Sequence, residues 1–211
     1  RLLSSAASDV YKRQGIRVKA FDKNSQQLHF LKEEITRTNL IIKKLYNTKI
    51  NFKNLEIVDS IEEAVKNADL IQENVPERLT LKKDVIKNIS KYSPSNSIIA
   101  SSSSGLLPSD LQSKCINPKR LIIAHPFNPV YILPLVEIVK GKKTTNLYLN
   151  KAKKFYQKIK MKTLLVEKEL PGFLSDRLQE ALWREGLHII NDGYASTCLL
   201  YTSDAADERR R

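Results

Sequence analysis

The chain has few residues that could form covalent or metal cross-links. Its 211 residues include two cysteines, Cys115 and Cys198, which lie 83 positions apart, and three histidines, His29, His125 and His188, which do not cluster with them. This spacing fits neither a disulfide framework nor a zinc motif. We therefore expect no metal site and a reduced, cytoplasmic environment.

Long apolar runs are also missing. No uninterrupted apolar stretch approaches the roughly 18 to 20 residues that cross a bilayer, and the first 30 residues do not read as a signal peptide. With 41% hydrophobic residues the chain can form one substantial core or two small ones. These features predict a soluble protein that is neither a membrane protein nor secreted.

Positive charge is the one strong bias in composition. The 36 Lys and Arg residues exceed the 23 Asp and Glu residues, which gives a formal net charge of +13. Nucleic acid is the rival partner that such a charge suggests. The lysines, however, are mixed with acidic residues at helical spacing, as on solvated helix faces, and there is no arginine-rich run. We predict no nucleic-acid partner.

The two ends of the chain share an unusual relationship. Residues 4–14, SSAASDVYKRQ, and residues 198–207, CLLYTSDAAD, can be translated from opposite strands of one oligonucleotide that resembles a sequencing-library adapter. We therefore expect 1–14 and 198–211 to be adapter-derived and exclude them from fold reasoning.

Short β-branched runs alternate with helical segments, which predicts crossover units and an α/β fold of the Rossmann type, a doubly wound parallel sheet. The predicted strands are Ile16 to Phe21, Leu55 to Val58, Leu70 to Val75, Ile98 to Ser101, Leu121 to Ala124, Leu135 to Val139 and Thr163 to Val166. The predicted helices are 24–47, 60–67, 78–92, 108–114 and 146–161.

The pattern changes after Pro171-Gly172. Apolar residues then recur every three to four positions until Asn191-Asp192-Gly193, which predicts one long helix. We expect 15–170 to be a nucleotide-binding domain that is truncated at its first strand and glycine-rich loop. Residues 171–197 are expected to begin a helical domain that is otherwise missing.

Ligands bind at the carboxyl ends of parallel strands, so the polar residues found there are candidates. Asp22 follows the first strand, where a dinucleotide-binding fold places the acid that holds the ribose hydroxyls. An acid at this position is also a common turn or helix cap. The glycine-rich loop expected upstream is absent, but the adapter-like segment occupies its place.

Three later strand ends carry further polar groups. Four serines follow Ala100, His125 and Asn128 lie in AHPFNP, and Glu137 lies in PLVEIV. A histidine that accepts a proton at neutral pH needs a carboxylate on its other nitrogen, and His125 with Glu137 would be such a pair. The alternatives are a structural histidine, a glutamate at a sheet edge and a polar serine loop.

Four segments carry a resemblance to a known family. They are ADLIQENVPERLTLKKDV at 68–85, SSSSGLLPSDLQ at 101–112, HPFNPVYILPLVEIV at 125–139 and PGFLSDRLQEALWREGLHIINDG at 171–193. In these segments the chain resembles the nucleotide-binding domain of the 3-hydroxyacyl-CoA dehydrogenase superfamily, and within it the branch that oxidises L-carnitine. The motif HPFNP followed by LVE and PGF is specific to the superfamily.

The resemblance implies a role for each matching residue. His125 would be the base that accepts the hydroxyl proton, Glu137 its partner, and Ser104 the serine that hydrogen-bonds the reacting oxygen and also contacts the cofactor. Asn128 would lie beside the nicotinamide. The remaining positions expected to bind the cofactor NAD are Asp22, Glu77 and Lys82.

Two departures from the family pattern concern ligands. Ser102 replaces the asparagine of the family's serine loop, which puts cofactor contacts there in doubt. Asp176 replaces the asparagine of acyl-CoA dehydrogenases and is the candidate residue for recognising the quaternary ammonium of carnitine.

Alternative interpretations are a 3-hydroxyacyl-CoA dehydrogenase, a gulonate dehydrogenase-like enzyme, or a structural protein that has lost its chemistry. The resemblance also implies a homodimer when full length, and we expect the fragment to be inactive.

Overall fold

The computed structural model describes residues 16–46, 54–130 and 132–200. Its strands are β1 (Val18–Ala20), β2 (Leu55–Ile57), β3 (Leu70–Glu73), β4 (Ile98–Ser101), β5 (Leu121–Pro126), β6 (Leu135–Lys140) and β7 (Lys162–Val166). Its helices are α1 (Ser25–Tyr46), α2 (Ile61–Val65), α3 (Leu79–Tyr92), α4 (Pro108–Gln112), α5 (Asn146–Lys158) and α6 (Ser175–Asn191). Each predicted element is present with ends shifted by a few residues, and a short 3-10 helix, Pro118–Arg120, was not predicted.

The strands form an α/β fold of the Rossmann type. Five strands make one sheet in the order β3-β4-β5-β6-β7, while β1 and β2 form a separate parallel pair. The pairs β3 with β4, β4 with β5, and β6 with β7 are parallel. Each of these three parallel connections contains a helix, as crossover connections require.

The sheet is mostly parallel, as predicted, and one strand departs from that direction. β6 runs antiparallel to β5, so the prediction was wrong at this strand. The reason is the length of the connection: only residues 127–134 join the two strands, too few for the crossover of a dozen or more residues that a parallel pair needs. The chain turns back at once, and the backbone N–H of Phe127 donates to the carbonyl of Leu135 at 3.1 Å.

The main core lies on one face of the five-stranded sheet. Alternate residues of the strands point to this face, and helix α5 covers it. The cluster includes Ile98 and Ala100 of β4, Ile122 and Ala124 of β5, Val136 and Ile138 of β6, and Leu149, Ala152 and Tyr156 of α5. The neighbouring residues in the same strands therefore point to the opposite face.

Local sequence signals explain where several elements begin and end. Ser60 caps α2, because its hydroxyl accepts the backbone N–H of Glu63 at 3.1 Å. Helix α6 ends before Gly193, whose φ of 77° lies in the left-handed region that glycine tolerates. The N–H of Tyr194 then donates to the carbonyl of Ile189 at 3.1 Å, which closes the last turn.

The chain divides into two compact units at Pro171 and Gly172. The second unit contains α6, in which no residue is buried and Leu178, Leu182 and Trp183 are exposed. Among the helices in the described part of the chain, none is long and apolar enough to cross a membrane. Segment 1–14 and most of 198–211, predicted to be adapter-derived, lie outside the described residues.

Candidate active site

The face of the sheet opposite the main core carries the polar residues of the candidate site. Glu73 and Ser101 are direct partners in the pairing of β3 with β4, and His125 and Glu137 are direct partners in the pairing of β5 with β6. Each of the four is adjacent in its strand to a residue that points to the core face, so all four point to the opposite side of the sheet. Glu73, Ser101 and Glu137 are buried, and His125 is partly exposed.

His125 and Glu137 form the predicted pair. Nδ1 of His125 lies 3.6 Å from Oε2 of Glu137, an ion-pair distance slightly longer than a hydrogen bond. The histidine side chain is 14% exposed, whereas the glutamate side chain is fully buried. The antiparallel reversal of β6 produces this contact: Glu137 lies in the middle of its strand, not at the end where the sequence pattern placed it.

The geometry of this pair suits proton transfer. The carboxylate of Glu137 faces Nδ1, which leaves Nε2 of His125 as the nitrogen that can act on a substrate. A buried carboxylate next to an imidazole orients the ring and stabilises the imidazolium when a proton arrives. The ring of Phe127 lies beside that of His125, with 5.8 Å between their centroids and a tilt of 38°.

Lys82 lies in a buried ion pair that the sequence did not reveal. Its ammonium donates to Oε1 of Glu73 at 2.9 Å and to the carbonyl of Val75 at 2.9 Å. The same carboxylate accepts the hydroxyl of Ser101 at 2.5 Å and the N–H of Val75 at 2.6 Å. Lys82 was predicted to bind the cofactor, but its side chain is only 1% exposed and its ammonium serves this cluster.

Sequence reasoning missed Glu73 and Ser101 for an identifiable reason. A glutamate at the end of a short strand has no distinctive neighbour in sequence, and Lys82 lies nine residues away on a helix. The only available signal was register. Pairing Leu70–Glu73 with Ile98–Ser101 end to end would have aligned Glu73 with the first serine of the cluster.

Glu77 binds the serine loop that follows β4. Its Oε1 accepts hydrogen bonds from the hydroxyl of Ser103, from the N–H of Gly105 at 3.2 Å and from the N–H of Leu106 at 3.3 Å. Its Oε2 lies 3.5 Å from the ammonium of Lys82. The predicted substrate contact, Ser104, lies within this loop and is half-buried.

The pKa of Glu77 reflects opposing effects. Burial by itself raises the pKa of this carboxyl, but the hydrogen bonds from Ser103, Gly105 and Leu106 and the charge of Lys82 lower it, and the net result is a pKa below the ordinary value. Glu77 is therefore an anion at neutral pH and a strong acceptor for the loop.

The other predicted ligand positions lie at strand ends. Asp22 is exposed just after β1, and its Oδ1 accepts the N–H of Asn24 at 2.8 Å, which is the turn-capping role considered from the sequence. Asn128 is exposed after β5. Because β4 and β5 are parallel neighbours, the loops that carry Ser104 and Asn128 leave the same edge of the sheet. Ser102, the departure from the family's asparagine, is buried in the first of these loops.

An unmet acceptor lies at the same edge. Oδ1 of Asn74, directly after β3, is buried and has no hydrogen-bond partner among the described residues. Buried polar atoms are rarely left unpaired, so this oxygen suits a hydrogen-bond donor from a bound ligand. Together with the exposed carboxylate of Asp22, it fits a dinucleotide, which offers hydroxyl and amide donors. The upstream segment, where the glycine-rich loop would lie, is outside the described residues.

Asp176 belongs to the second compact unit. It is half-buried in the first turn of α6. Its Cβ lies 3.5 Å from where a Cβ on Gly172 would be, so the tight turn before the helix packs against it. Its predicted role toward the substrate stays a prediction.

Curated relatives share much of this sequence. The chain is 59% identical over 143 residues to the L-carnitine dehydrogenase of Oceanobacillus iheyensis, which covers 68% of this chain and 47% of that protein. It is 56% identical over 137 residues to the L-carnitine dehydrogenase of Bacillus cereus, which covers 65% of this chain and 42% of that protein. The chain thus spans less than half the length of these relatives.

Solved structures share the fold. A 5-formyl-3-hydroxy-2-methylpyridine 4-carboxylic acid 5-dehydrogenase described as an NAD-dependent dismutase matches with a TM-score of 0.84 at 28% identity, over 94% of this chain and 65% of that one. A diketoreductase matches with a TM-score of 0.87 at 26% identity, over 93% and 71% of the two chains.

The match to a family model covers most of the chain. Residues 2–170 match the model of the 3-hydroxyacyl-CoA dehydrogenase NAD-binding domain. This match includes the His125 and Glu137 pair, the serine loop and the Glu73 cluster, which is all of the site geometry found in the first unit. The chain therefore belongs to the 3-hydroxyacyl-CoA dehydrogenase family and contains the NAD-binding domain of that family.

Proposed function

We propose that the enzyme to which this chain belongs oxidises the 3-hydroxyl of L-carnitine to 3-dehydrocarnitine, with NAD as the hydride acceptor. The observation that carries the proposal is the His125 and Glu137 pair, aligned in register across β5 and β6 with the carboxylate fully buried. The choice of L-carnitine as substrate is supported by sequence identities of 59% and 56% to two L-carnitine dehydrogenases over the matched residues.

The proposed reaction needs one proton acceptor and one hydride acceptor. The alcohol loses its hydroxyl proton to Nε2 of His125 and its carbon-bound hydrogen as hydride, and a ketone results. NAD, when bound, supplies the acceptor for that hydride. Glu137 stabilises the positive charge that forms on His125, and Ser104 donates a hydrogen bond to the reacting oxygen.

The remaining residues are proposed to bind rather than react. Asp22 would accept hydrogen bonds from the adenosine ribose hydroxyls, and Asn128 would lie beside the nicotinamide. Glu77 and Lys82 would support the cofactor site through the loop after β3, while Asp176 would face the quaternary ammonium of the substrate. We further propose a cytoplasmic homodimer.

The proposal is tested by substrate and cofactor choice in the full-length enzyme. L-Carnitine should be oxidised with NAD, and NADP should be used poorly because a carboxylate at Asp22 repels a 2′-phosphate. Preferred oxidation of a 3-hydroxyacyl-CoA or of L-gulonate would replace carnitine with one of the alternative substrates. Equal turnover with NAD and NADP would remove Asp22 from the ribose site.

A further inference from the structure

One carboxylate oxygen holds both sides of Ser104. Oε1 of Glu77 accepts the hydroxyl of Ser103 on one side and the backbone N–H groups of Gly105 and Leu106 on the other. The N–H of Leu106 also donates to the hydroxyl of Ser103 at 3.0 Å, which closes the loop on itself. The backbone on either side of Ser104 is thereby tied to a single atom.

The second half of the loop has few other restraints. The N–H of Ser102 donates to the carbonyl of Glu73 at 2.9 Å and that of Ser103 to the hydroxyl of Ser101 at 3.3 Å. Gly105 and Leu106 lie beyond these bonds and are at least partly open to solvent. A Cβ added at Gly105 would meet no atom within 4 Å, so packing does not confine that residue. Because charge-assisted hydrogen bonds are stronger than neutral ones, those to the Glu77 carboxylate are the strongest that Gly105 and Leu106 make among the described residues.

Glu77 is in turn held by charge. Its Oε2 lies 3.5 Å from the ammonium of Lys82, which is itself fixed by the buried carboxylate of Glu73 and by the carbonyl of Val75. The buried pair thus forms a rigid base, and Glu77 extends from it to the serine loop.

We propose that Glu77 is a positioning residue that sets the direction of the Ser104 hydroxyl through its hydrogen bonds to Ser103, Gly105 and Leu106. The contribution to catalysis rests on the proposed function, because Ser104 matters only if it binds the reacting oxygen. The hydrogen bonds themselves can be measured in the chain without any ligand.

The first experiment is amide hydrogen exchange by NMR on the 211-residue chain. Glu77→Ala should speed exchange at Gly105 and Leu106 about fivefold or more, because each amide loses an acceptor. Glu77→Gln keeps one oxygen at the same distance and should restore part of the protection. Glu56→Gln is the matched control, since it removes the same charge from an exposed pair with Lys19 on β1.

The amides of β4 report whether the sheet is intact. Unchanged exchange at Gly105 and Leu106 in Glu77→Ala would overturn the proposal, and so would an equal rise at the amides of β4, because that would mean general loosening of the fold.

The second experiment is a double-mutant cycle in the full-length enzyme. Glu77→Ala should lower kcat several-fold in the parent but cause little further loss in Ser104→Ala, because the positioning residue acts through the serine. Additive losses would overturn this role. If the parent does not oxidise L-carnitine, the proposed function fails, while hydrogen exchange still decides whether Glu77 holds the loop.

Discussion

Two buried glutamates on the same face of the sheet, Glu137 and Glu73, each face a basic side chain, and the two pairs differ in what surrounds them. Glu137 faces His125, whose ring is 14% exposed and whose second nitrogen is turned away from the carboxylate. Glu73 faces Lys82, which is 1% exposed and donates to a carbonyl as well. One pair keeps an open side and the other is enclosed.

This difference suits the His125 and Glu137 pair to proton transfer and the Lys82 and Glu73 pair to a structural role. The imidazole of His125 has an open side through which a ligand can reach it, whereas the ammonium of Lys82 is enclosed between the carboxylate of Glu73 and the carbonyl of Val75. Both pairs use a fully buried glutamate, so the glutamate alone does not distinguish them. The partner and its access to a ligand do.

The largest expected effect breaks the open pair. His125→Ala in the full-length enzyme should lower the rate of alcohol oxidation by roughly 100- to 10,000-fold, because the proton acceptor is lost. NAD affinity should stay nearly the same when measured by fluorescence titration. His29→Ala, on the exposed surface of α1, serves as the control. A loss comparable to that of the control would assign His125 a structural role.

The next effect breaks the enclosed pair. Glu73→Gln in the 211-residue chain should lower the free energy of unfolding by about 3–5 kcal/mol, because it leaves the Lys82 ammonium buried beside a neutral group. Combining it with Lys82→Met should recover much of that loss, since neither buried charge then remains and only the exposed carboxylate of Glu77 loses a partner. Urea denaturation measures both. Equal stability of the single and double variants would show that the pair is not the cause.

The next prediction concerns a third carboxylate, Asp176, and tests whether it recognises the positive charge of the substrate. Asp176→Asn should reduce kcat/KM for L-carnitine several-fold, with little change for an analogue in which carbon replaces the quaternary nitrogen, because only the cation gains from a carboxylate. The rival explanation is an ion pair with Arg177 on the helix surface. An equal fall on both substrates would favour that explanation.

The smallest effect concerns acid. Burial alone raises the pKa of Glu77, but its hydrogen bonds and Lys82 outweigh that effect, so the folded pKa lies below the ordinary 4.5. Its contribution to stability is therefore present above pH 4.5 and is lost as the pH falls through the folded value. Thermal unfolding should show Glu77→Gln less stable than the parent at pH 7, with the gap narrowing as the pH falls below 4.5. A constant gap would contradict this.

Much of the site was predictable from strand ends, and part of it was not. Asn128 and the serine loop follow β5 and β4 as the sequence predicted, because apolar runs and the polar residues after them are local features, whereas His125 lies inside the end of β5 and not after it. Glu137 was paired correctly with His125, but from the resemblance and the chemistry of histidine. The expected position at a strand end was wrong.

Lys82 shows the opposite case. Its helical position was predicted, but its burial was not, since a lysine in a helix with acidic neighbours is usually exposed. The partner that buries it, Glu73, becomes visible only when β3 and α3 are packed together.

The sequence by itself determined the order and type of the elements, because the periods of 2 and 3.6 residues and the turn residues between them act over short stretches of chain. The direction of β6 follows from the short connection 127–134 and not from the strand's period of 2, which is the same in parallel and antiparallel pairs. That direction aligns His125 with Glu137. Only the tertiary structure decided which carboxylate pairs with a cation and which one accepts hydrogen bonds from a loop, since those contacts join residues that are apart in the chain.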